Sequence, residues 1–309
     1  MGSEPVITPT LVRRLLQEQH PDLGELKVGE IVQGWDNTMV RLGDELALRL
    51  PRHQMGERLL GQEIQWLPVL GLQTGVRVPA AVWTGVPLAA SPDGPGYPYR
   101  WAVVPWTAGR SAGELLTQTR DAYAEPFART LAALHVPGAA GAPVSPVGRG
   151  QGIETVLDRV RERLRDRTAE LGERQVGHLG ELIQQALDAR PHEGPPRWLH
   201  GDPHPRNTVL TAAPQDQGPG SPQLVDFGDL CVGDPASDLG QSWDHFTSAG
   251  RERFRAAYGQ ARGLTAEDDQ ALWTRARGWA VHYALIYLDP HRPEELRRAG
   301  GRMLEVLDS

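Results

Sequence analysis

The spacing of apolar positions changes twice in the first third of the chain. Between Leu11 and His20 the spacing is helical, and Thr8 or Thr10 stands where a helix cap belongs. From Leu26 to Leu50 the apolar residues come in short runs: Val28, Ile31 and Val32, then Met39, Val40 and Leu42, then Leu46, Leu48 and Leu50. Gly34 and Gly43-Asp44 punctuate these runs, which predicts a three-stranded meander. Helical spacing returns at Leu59, Leu60, Ile64 and Leu67. This predicts a helix over Gly56 to Leu67 that Pro68 should stop, because proline offers no N–H to the helix. Val76 to Val86 and Tyr99 to Val104 read as two more strands on either side of a Pro/Gly-rich turn, Ser91 to Pro98.

Beyond Pro105 strands become rare. Ala112 to Thr119, Tyr123 to His135, Ile153 to Arg167 and Val176 to Ala189 have helical patterns, as does the chain from Ala236 onward. Thr208-Val209-Leu210 and Gln223-Leu224-Val225 read as a strand pair joined by a polar hairpin loop, Thr211 to Pro222. No internal repeat is visible. The fold class expected is therefore α+β: a small β-rich N-terminal lobe over 1–105, a short hinge near Pro105, and a larger, mainly helical lobe over 106–309.

Composition narrows the function. A formal charge of -7 over 309 residues, with no lysine/arginine block, argues against a nucleic-acid partner. One cysteine, Cys231, excludes an internal disulfide framework and a multi-cysteine zinc site; it reads as a small buried residue. No signal peptide and no apolar stretch long enough to span a bilayer are seen, so the expected location is the cytoplasm, with no membrane partner. The 32 basic residues comprise Lys27 and 31 arginines, so any chemistry needing a cation beyond residue 40 must use arginine or histidine.

The chemistry concentrates in HGDPHPRN, His200 to Asn207, and LVDFGD, Leu224 to Asp229. Phosphoryl transfer needs an oriented hydroxyl, a cation on the phosphate oxygens, and fixed positions for both. Protein kinases meet this with a catalytic-loop Asp, an Asn five residues later and the Asp of a DFG. Here Asp202 and Asn207 are five apart and Asp226 opens a D-F-G. Either piece alone is also what a polar turn looks like. His200, Asp202 and His204 alternate as metal ligands can, but one such run is too few ligands for a zinc site.

Further candidates lie upstream and downstream. The turn GWDNTMVRLG, with Gly34, Asn37 and Thr38, can present N–H groups to phosphate or be an ordinary hairpin turn. Arg49, followed by Glu63 fourteen residues later, can take the place of a phosphate-binding Lys–Glu pair. In WAVVPW, Val104 and Trp106 flank Pro105, so a purine could bond to backbone groups between Val103 and Thr107, with Trp106 or Thr107 as donor; a buried edge strand fits equally. Asp238, in GDPASDLG, suits a helix cap and can also brace the catalytic loop. From Val232 to Ser309 there are 12 acidic residues and 10 arginines, not the surplus a polycation site would need. Asp244 is a candidate acceptor-site carboxylate. Trp243, His245, Phe246, Trp273, Trp279, His282, Tyr283 and Tyr287 fit either an apolar acceptor pocket or, more commonly at such spacing, a core.

In GWDNTMVRLG, the Arg49/Glu63 pair, VVPWTAG, HGDPHPRN and DFGDLCVGDPASDLG, taken in order from Gly34 to Gly240, the chain resembles the aminoglycoside phosphotransferase family of the kinase-like superfamily. The resemblance implies a two-lobed protein-kinase-like fold, ATP or GTP as co-substrate, magnesium, and a small-molecule acceptor. By the same resemblance Asp202 acts on the acceptor hydroxyl, Asn207 and Asp226 hold the metal, and Arg49 contacts the nucleotide phosphates with support from Glu63. Arginine at position 49 departs from the lysine usual in antibiotic-resistance members. The family also includes macrolide and choline kinases, so the acceptor is left open. A kinase fold that binds nucleotide without turnover is the alternative.

Overall fold

The computed structural model describes residues 4–92, 94–211 and 220–308. Chain contacts divide it into two units, one ending at Ala108 and one starting at Gly109. The first is built on a sheet and the second is mainly helical, the α+β arrangement expected. Among the described residues no helix is long and apolar enough to cross a membrane.

The first unit runs α1 (Pro9–Gln19), β1 (Val28–Gln33), β2 (Asn37–Leu42), β3 (Leu46–Pro51), α2 (Gln54–Thr74), β4 (Trp83–Gly85) and β5 (Trp101–Pro105). The strands form one antiparallel sheet in the order β1-β2-β3-β5-β4. Alternation sorts its two faces. Val40, Leu42, Leu48, Leu50 and Val103 point into a core with Leu11, Val12, Leu15 and Leu16 of α1. Ala47, Ala102 and Val104 face the other way, against Leu60 and Ile64 of α2. Arg49 shares that second face. Of the two candidate caps for α1, Thr8 is used, its Oγ1 accepting from Leu11 N–H at 3.2 Å.

The expected stop at Pro68 is not one: α2 continues to Thr74 and ends at Gly75, whose φ of 68° suits a residue without a Cβ. Pro68 lies on the exposed side, where water can reach the carbonyl it leaves unbonded. Leu67 and Leu70 on the opposite side are fully buried, and each such burial stabilises by about 1.5–3 kcal/mol, enough to offset the defect. The strand expected over Val76 to Val86 shrinks to three residues, Trp83–Gly85, because Pro79 and Pro87 deny the ladder donors at either side.

The second unit runs β6 (Arg110–Ser111), α3 (Thr117–Arg120), α4 (Ala124–Leu134), α5 (Leu157–Asp166), α6 (Thr168–Leu171), α7 (Glu173–Asp188), β7 (Arg197–Leu199), β8 (Thr208–Leu210), β9 (Pro222–Leu224), β10 (Cys231–Gly233), α8 (Ala236–Leu239), α9 (Ser242–His245), α10 (Ser248–Arg262), α11 (Ala266–Tyr287) and α12 (Glu294–Leu307). Two of the expected helices are broken: Ala112–Glu114 and Ile153–Val156 are single turns of 3₁₀ helix ahead of α3 and α5. The strand pair β8–β9 forms as expected; the middle of its loop, 212–219, lies outside the described residues. Helix α11 is apolar nearly all round from Leu272 to Leu285, as a helix at the centre of a unit must be, and packs on α7, α8 and α12. All eight aromatic residues proposed for either core or acceptor pocket are buried. Cys231 is buried as well, with its thiol pKa raised by that burial.

Candidate active site

Strand β7 pairs with β10 and delivers the chain to His200. The next residue, Gly201, has a φ of 87°, and a Cβ there would lie 2.1 Å from the Asp229 carbonyl oxygen. Glycine therefore allows the catalytic-type loop to pass directly over the segment that follows D-F-G. His200 organises what comes next. Its Nδ1 accepts from Asp202 N–H at 3.2 Å, and its Nε2–H donates to the Val225 carbonyl at 3.0 Å. Burial lowers its pKa, which fits this neutral tautomer. Asn207 donates from Nδ2 to the Asp202 carbonyl at 3.1 Å, while its own carbonyl accepts from Val225 N–H at 2.9 Å. Val225 is thus held from two sides of the 200–207 loop. Asp226 follows it directly, exposed, with a φ of 61°; it is the one non-glycine among the described residues with positive φ.

Asp238 lies beneath this loop, 1% exposed. Its Oδ2 accepts from His200 N–H at 2.8 Å and from His135 at 3.2 Å; its Oδ1 accepts from Gly201 N–H at 3.0 Å. The helix-cap expectation for Asp238 is corrected: Asp234 accepts from Ala236 N–H at 3.0 Å at the start of α8, and Asp238 braces the loop. Asp244 is also corrected. It is 4% exposed, with Oδ1 3.8 Å from Arg120 and 3.9 Å from Arg302, so it faces these arginines and not the open surface an acceptor-site carboxylate would need.

The Asp202 carboxylate is half-buried. Oδ1 accepts from Gln241 Nε2 at 3.0 Å, and Gln241 is in turn held by the Tyr287 hydroxyl at 3.1 Å. Oδ2 lies 3.4 Å from Arg149 and 3.8 Å from His204. Arg149 also pairs with Asp229. Burial alone would raise the Asp202 pKa, but Arg149, then His204, His200 and Arg206, outweigh it and hold the carboxyl below its usual value. Asp229 moves the other way. Burial, reinforced by Asp202 and opposed by Arg149, pushes it up. The guanidinium of Arg149 is itself held charged by Asp202 and Asp229 against the effect of burial.

Arg149 and Gln241 were not singled out by sequence, and Tyr287 only as one of eight aromatic residues for core or acceptor pocket. A signal for Arg149 was present in its neighbours, since Gly148 and Gly150 both have left-handed φ, 95° and 70°. The loop is also pinned by Gly150 N–H to Ser237 Oγ at 3.0 Å and Asp234 N–H to the Gly150 carbonyl at 2.7 Å. The alternating His200, Asp202 and His204 do not form a ligand set. His200 faces Val225, and His204 Nδ1 accepts from Asn207 N–H at 3.2 Å. No cluster of three or more His, Cys, Asp or Glu suited to a metal occurs among the described residues.

In the first unit, Arg49 and Glu63 are buried and paired at 2.8 Å. With its amide oxygen turned toward the guanidinium, Asn37 accepts from Arg49 at 3.2 Å. Asn37 and Thr38 are buried residues of β2, opposite Pro51 and Leu50, so the side chains expected at the turn tip lie inside the strand. The tip is Trp35-Asp36, and sequence missed what orients it. Arg52 donates to the carbonyls of Gly34 at 2.6 Å and Trp35 at 3.1 Å, and its own N–H to Asp36 at 2.9 Å. Gly34 N–H is taken by the Asn37 carbonyl at 2.9 Å. In β5, Val104 is buried opposite Ala47. Trp106 N–H donates to the Glu45 carbonyl at 2.7 Å, which corrects the expectation that it serves a purine.

The family model described as "Phosphotransferase enzyme family" (APH) matches residues 27–279, which takes in both the Arg49–Glu63 pair and the whole loop arrangement. The chain belongs to the APH phosphotransferase family. Solved structures agree on the fold. The GDP complex of aminoglycoside 2'-phosphotransferase-IIIa is 19% identical, with a TM-score of 0.66 over 97% of this chain and 99% of that one. Macrolide 2'-phosphotransferase type I is 20% identical, with a TM-score of 0.62 over 97% and 98%. The apoenzyme of macrolide 2'-phosphotransferase MphH from Brachybacterium faecium is 19% identical, with a TM-score of 0.58 over 94% and 97%. No curated protein sequence matches the chain. This APH-family protein therefore shares its kinase-like fold with enzymes acting on two unrelated antibiotic classes.

Proposed function

We propose that this APH-family protein transfers the γ-phosphoryl group of ATP or GTP to a hydroxyl of a small molecule. The carrying observation is the single scaffold formed by Asp202, Asn207 and Val225-Asp226. Asn207 donates to the Asp202 carbonyl and its own carbonyl accepts from Val225 N–H, so one hydrogen-bonded backbone carries all three side chains. Phosphoryl transfer depends mainly on such positioning.

Asp202 is the group that meets the acceptor hydroxyl. Its carboxyl is held below the usual value, so it is ionised at neutral pH and able to accept the hydroxyl proton. As the acceptor oxygen bonds to the γ-phosphorus, the bond to the β-phosphate oxygen breaks and the nucleoside diphosphate leaves. Gln241 fixes which carboxylate oxygen faces the substrate. Arg49, fixed by Glu63 and Asn37, is the cation for the nucleotide phosphates, and the backbone around Val104 and Thr107 is the place for the base.

Magnesium fits the residues present. Asn207 has committed its Nδ2 to the loop, which leaves Oδ1 as the amide's outward acceptor, and Asp226 adds an exposed carboxylate. Two oxygen donors suit a hard cation completed by phosphate oxygens and water. When bound, the ion neutralises phosphate charge.

The test is nucleotide consumption across aminoglycosides, macrolides, amino alcohols and sugars. Asp202→Ala should lower turnover of the best acceptor at least ~100-fold, the contribution of a positioned base, while magnesium-dependent nucleotide binding persists. Undiminished turnover in that variant sinks the assignment.

A further inference from the structure

The second unit contains a concave site that the phosphotransfer reading does not use. A cavity of about 230 Å³ is lined by Arg190, Arg197, Arg262 and Arg275, with Tyr258 and Asp268 among its other walls. Two of the four arginines are neutralised. Arg275 donates two hydrogen bonds to Asp234, at 2.7 and 3.2 Å, and Arg190 pairs with Asp268. The other two are not. Arg197 donates to the His135 carbonyl at 3.2 Å and Arg262 to the Ala132 carbonyl at 3.3 Å, and neither has a carboxylate partner among the described residues. Glu193 also lines the cavity, but it is exposed and forms no ion pair with either.

The bland reading is that both arginines terminate α4, whose last carbonyls they meet. The charges do not balance on that reading. A helix C-terminus supplies only about half a negative charge, against two guanidinium ions held close enough to oppose each other. Burial, then the neighbouring Arg262, lowers the Arg197 pKa. Tyr258 is no substitute, since its hydroxyl is spent on His135 at 2.8 Å.

We propose that this cavity is a second binding site, selective for a small dianion gripped between Arg197 and Arg262. Guanidinium forks suit the paired oxygens of a phosphoryl or carboxylate group. The volume falls below the ~300–1,000 Å³ of ordinary organic-ligand sites, which suits orthophosphate or the phosphoryl end of a small metabolite.

The experiment is calorimetric titration of the full chain with orthophosphate and, in a second arm, with glycerol 3-phosphate; tighter binding of one identifies its source. Wild type should bind, and Arg197→Gln and Arg262→Gln should each weaken binding at least tenfold. Arg197→Lys and Arg262→Lys, which keep the charge and lose the fork, should bind more weakly than wild type and more tightly than the glutamine variants. If Arg197→Gln fails to fold, Arg262→Gln, at the end of its helix, decides. Arg49→Gln should leave this binding intact. Binding unchanged in both glutamine variants, or lost only in Arg49→Gln, overturns the proposal. The readout involves no turnover, so it stands or falls apart from the phosphotransferase reading.

Discussion

Replacing Asp238 by alanine tests the most consequential geometry in the second unit. Its two carboxylate oxygens accept from the backbone of His200 and Gly201 and from the ring of His135, all in a buried setting. Hydrogen bonds to a charged group contribute about 1.5–3 kcal/mol each, so losing the two backbone bonds costs roughly 3–6 kcal/mol. Asp238→Asn preserves the shape. One amide proton keeps an oxygen acceptor while the other meets an NH₂ group, so its loss should be about half as large. A mere helix cap would cost only about 1 kcal/mol. Urea unfolding followed by tryptophan fluorescence, with hydrogen exchange at the His200 and Gly201 amides, separates the two. A loss below ~1 kcal/mol in Asp238→Ala, with those amides as protected as in wild type, would refute the bracing argument.

Three further outcomes are expected. Arg149→Gln removes the main charge holding the Asp202 carboxyl down, so the acid limb of the pH–rate profile should move to higher pH, with activity at low pH lost first. Glu63→Ala strands the buried Arg49 and should destabilise by about 3–5 kcal/mol, read as a shift in the unfolding midpoint; Glu63→Gln should cost less. His135, His200, His245 and His282 all have pKa values lowered by burial, His282 to about 3. The unfolded chain therefore takes up their protons first, near the ordinary value of about 6.5. Stability should be complete above that pH and fall below it by up to ~1.4 kcal/mol per pH unit for each histidine. His282→Leu should flatten that slope by one such increment in unfolding experiments between pH 4 and 8.

What could be read from the sequence was what is local in the chain. Asp202 and Asn207 lie on one loop, so their spacing already fixes their relation, and the alternation from Leu46 to Leu50 already puts Arg49 on the opposite face from Leu48. The supports were hidden because they arrive from a distance. Arg149 and Gln241 reach Asp202 from positions 53 residues before and 39 after it, and no period or motif links them. The turn at Gly34 misled for a related reason: Asn37 looks like a turn residue, but cross-strand pairing with Pro51 draws it into β2. Pro68 failed as a stop because the penalty falls on the exposed side, while Leu67 and Leu70 hold the helix from the other.

The left-handed backbone of Asp226 gives this position a particular place in the protein's history. Such a conformation costs a side-chain-bearing residue about 1 kcal/mol or more, and glycine would adopt it freely. Selection for a sturdier fold alone would thus favour glycine here, whereas the metal-holding role proposed for Asp226 requires the carboxylate. A lineage that abandoned catalysis could become more robust by one substitution at this site. The residue found here in a relative is therefore a record of which pressure prevailed.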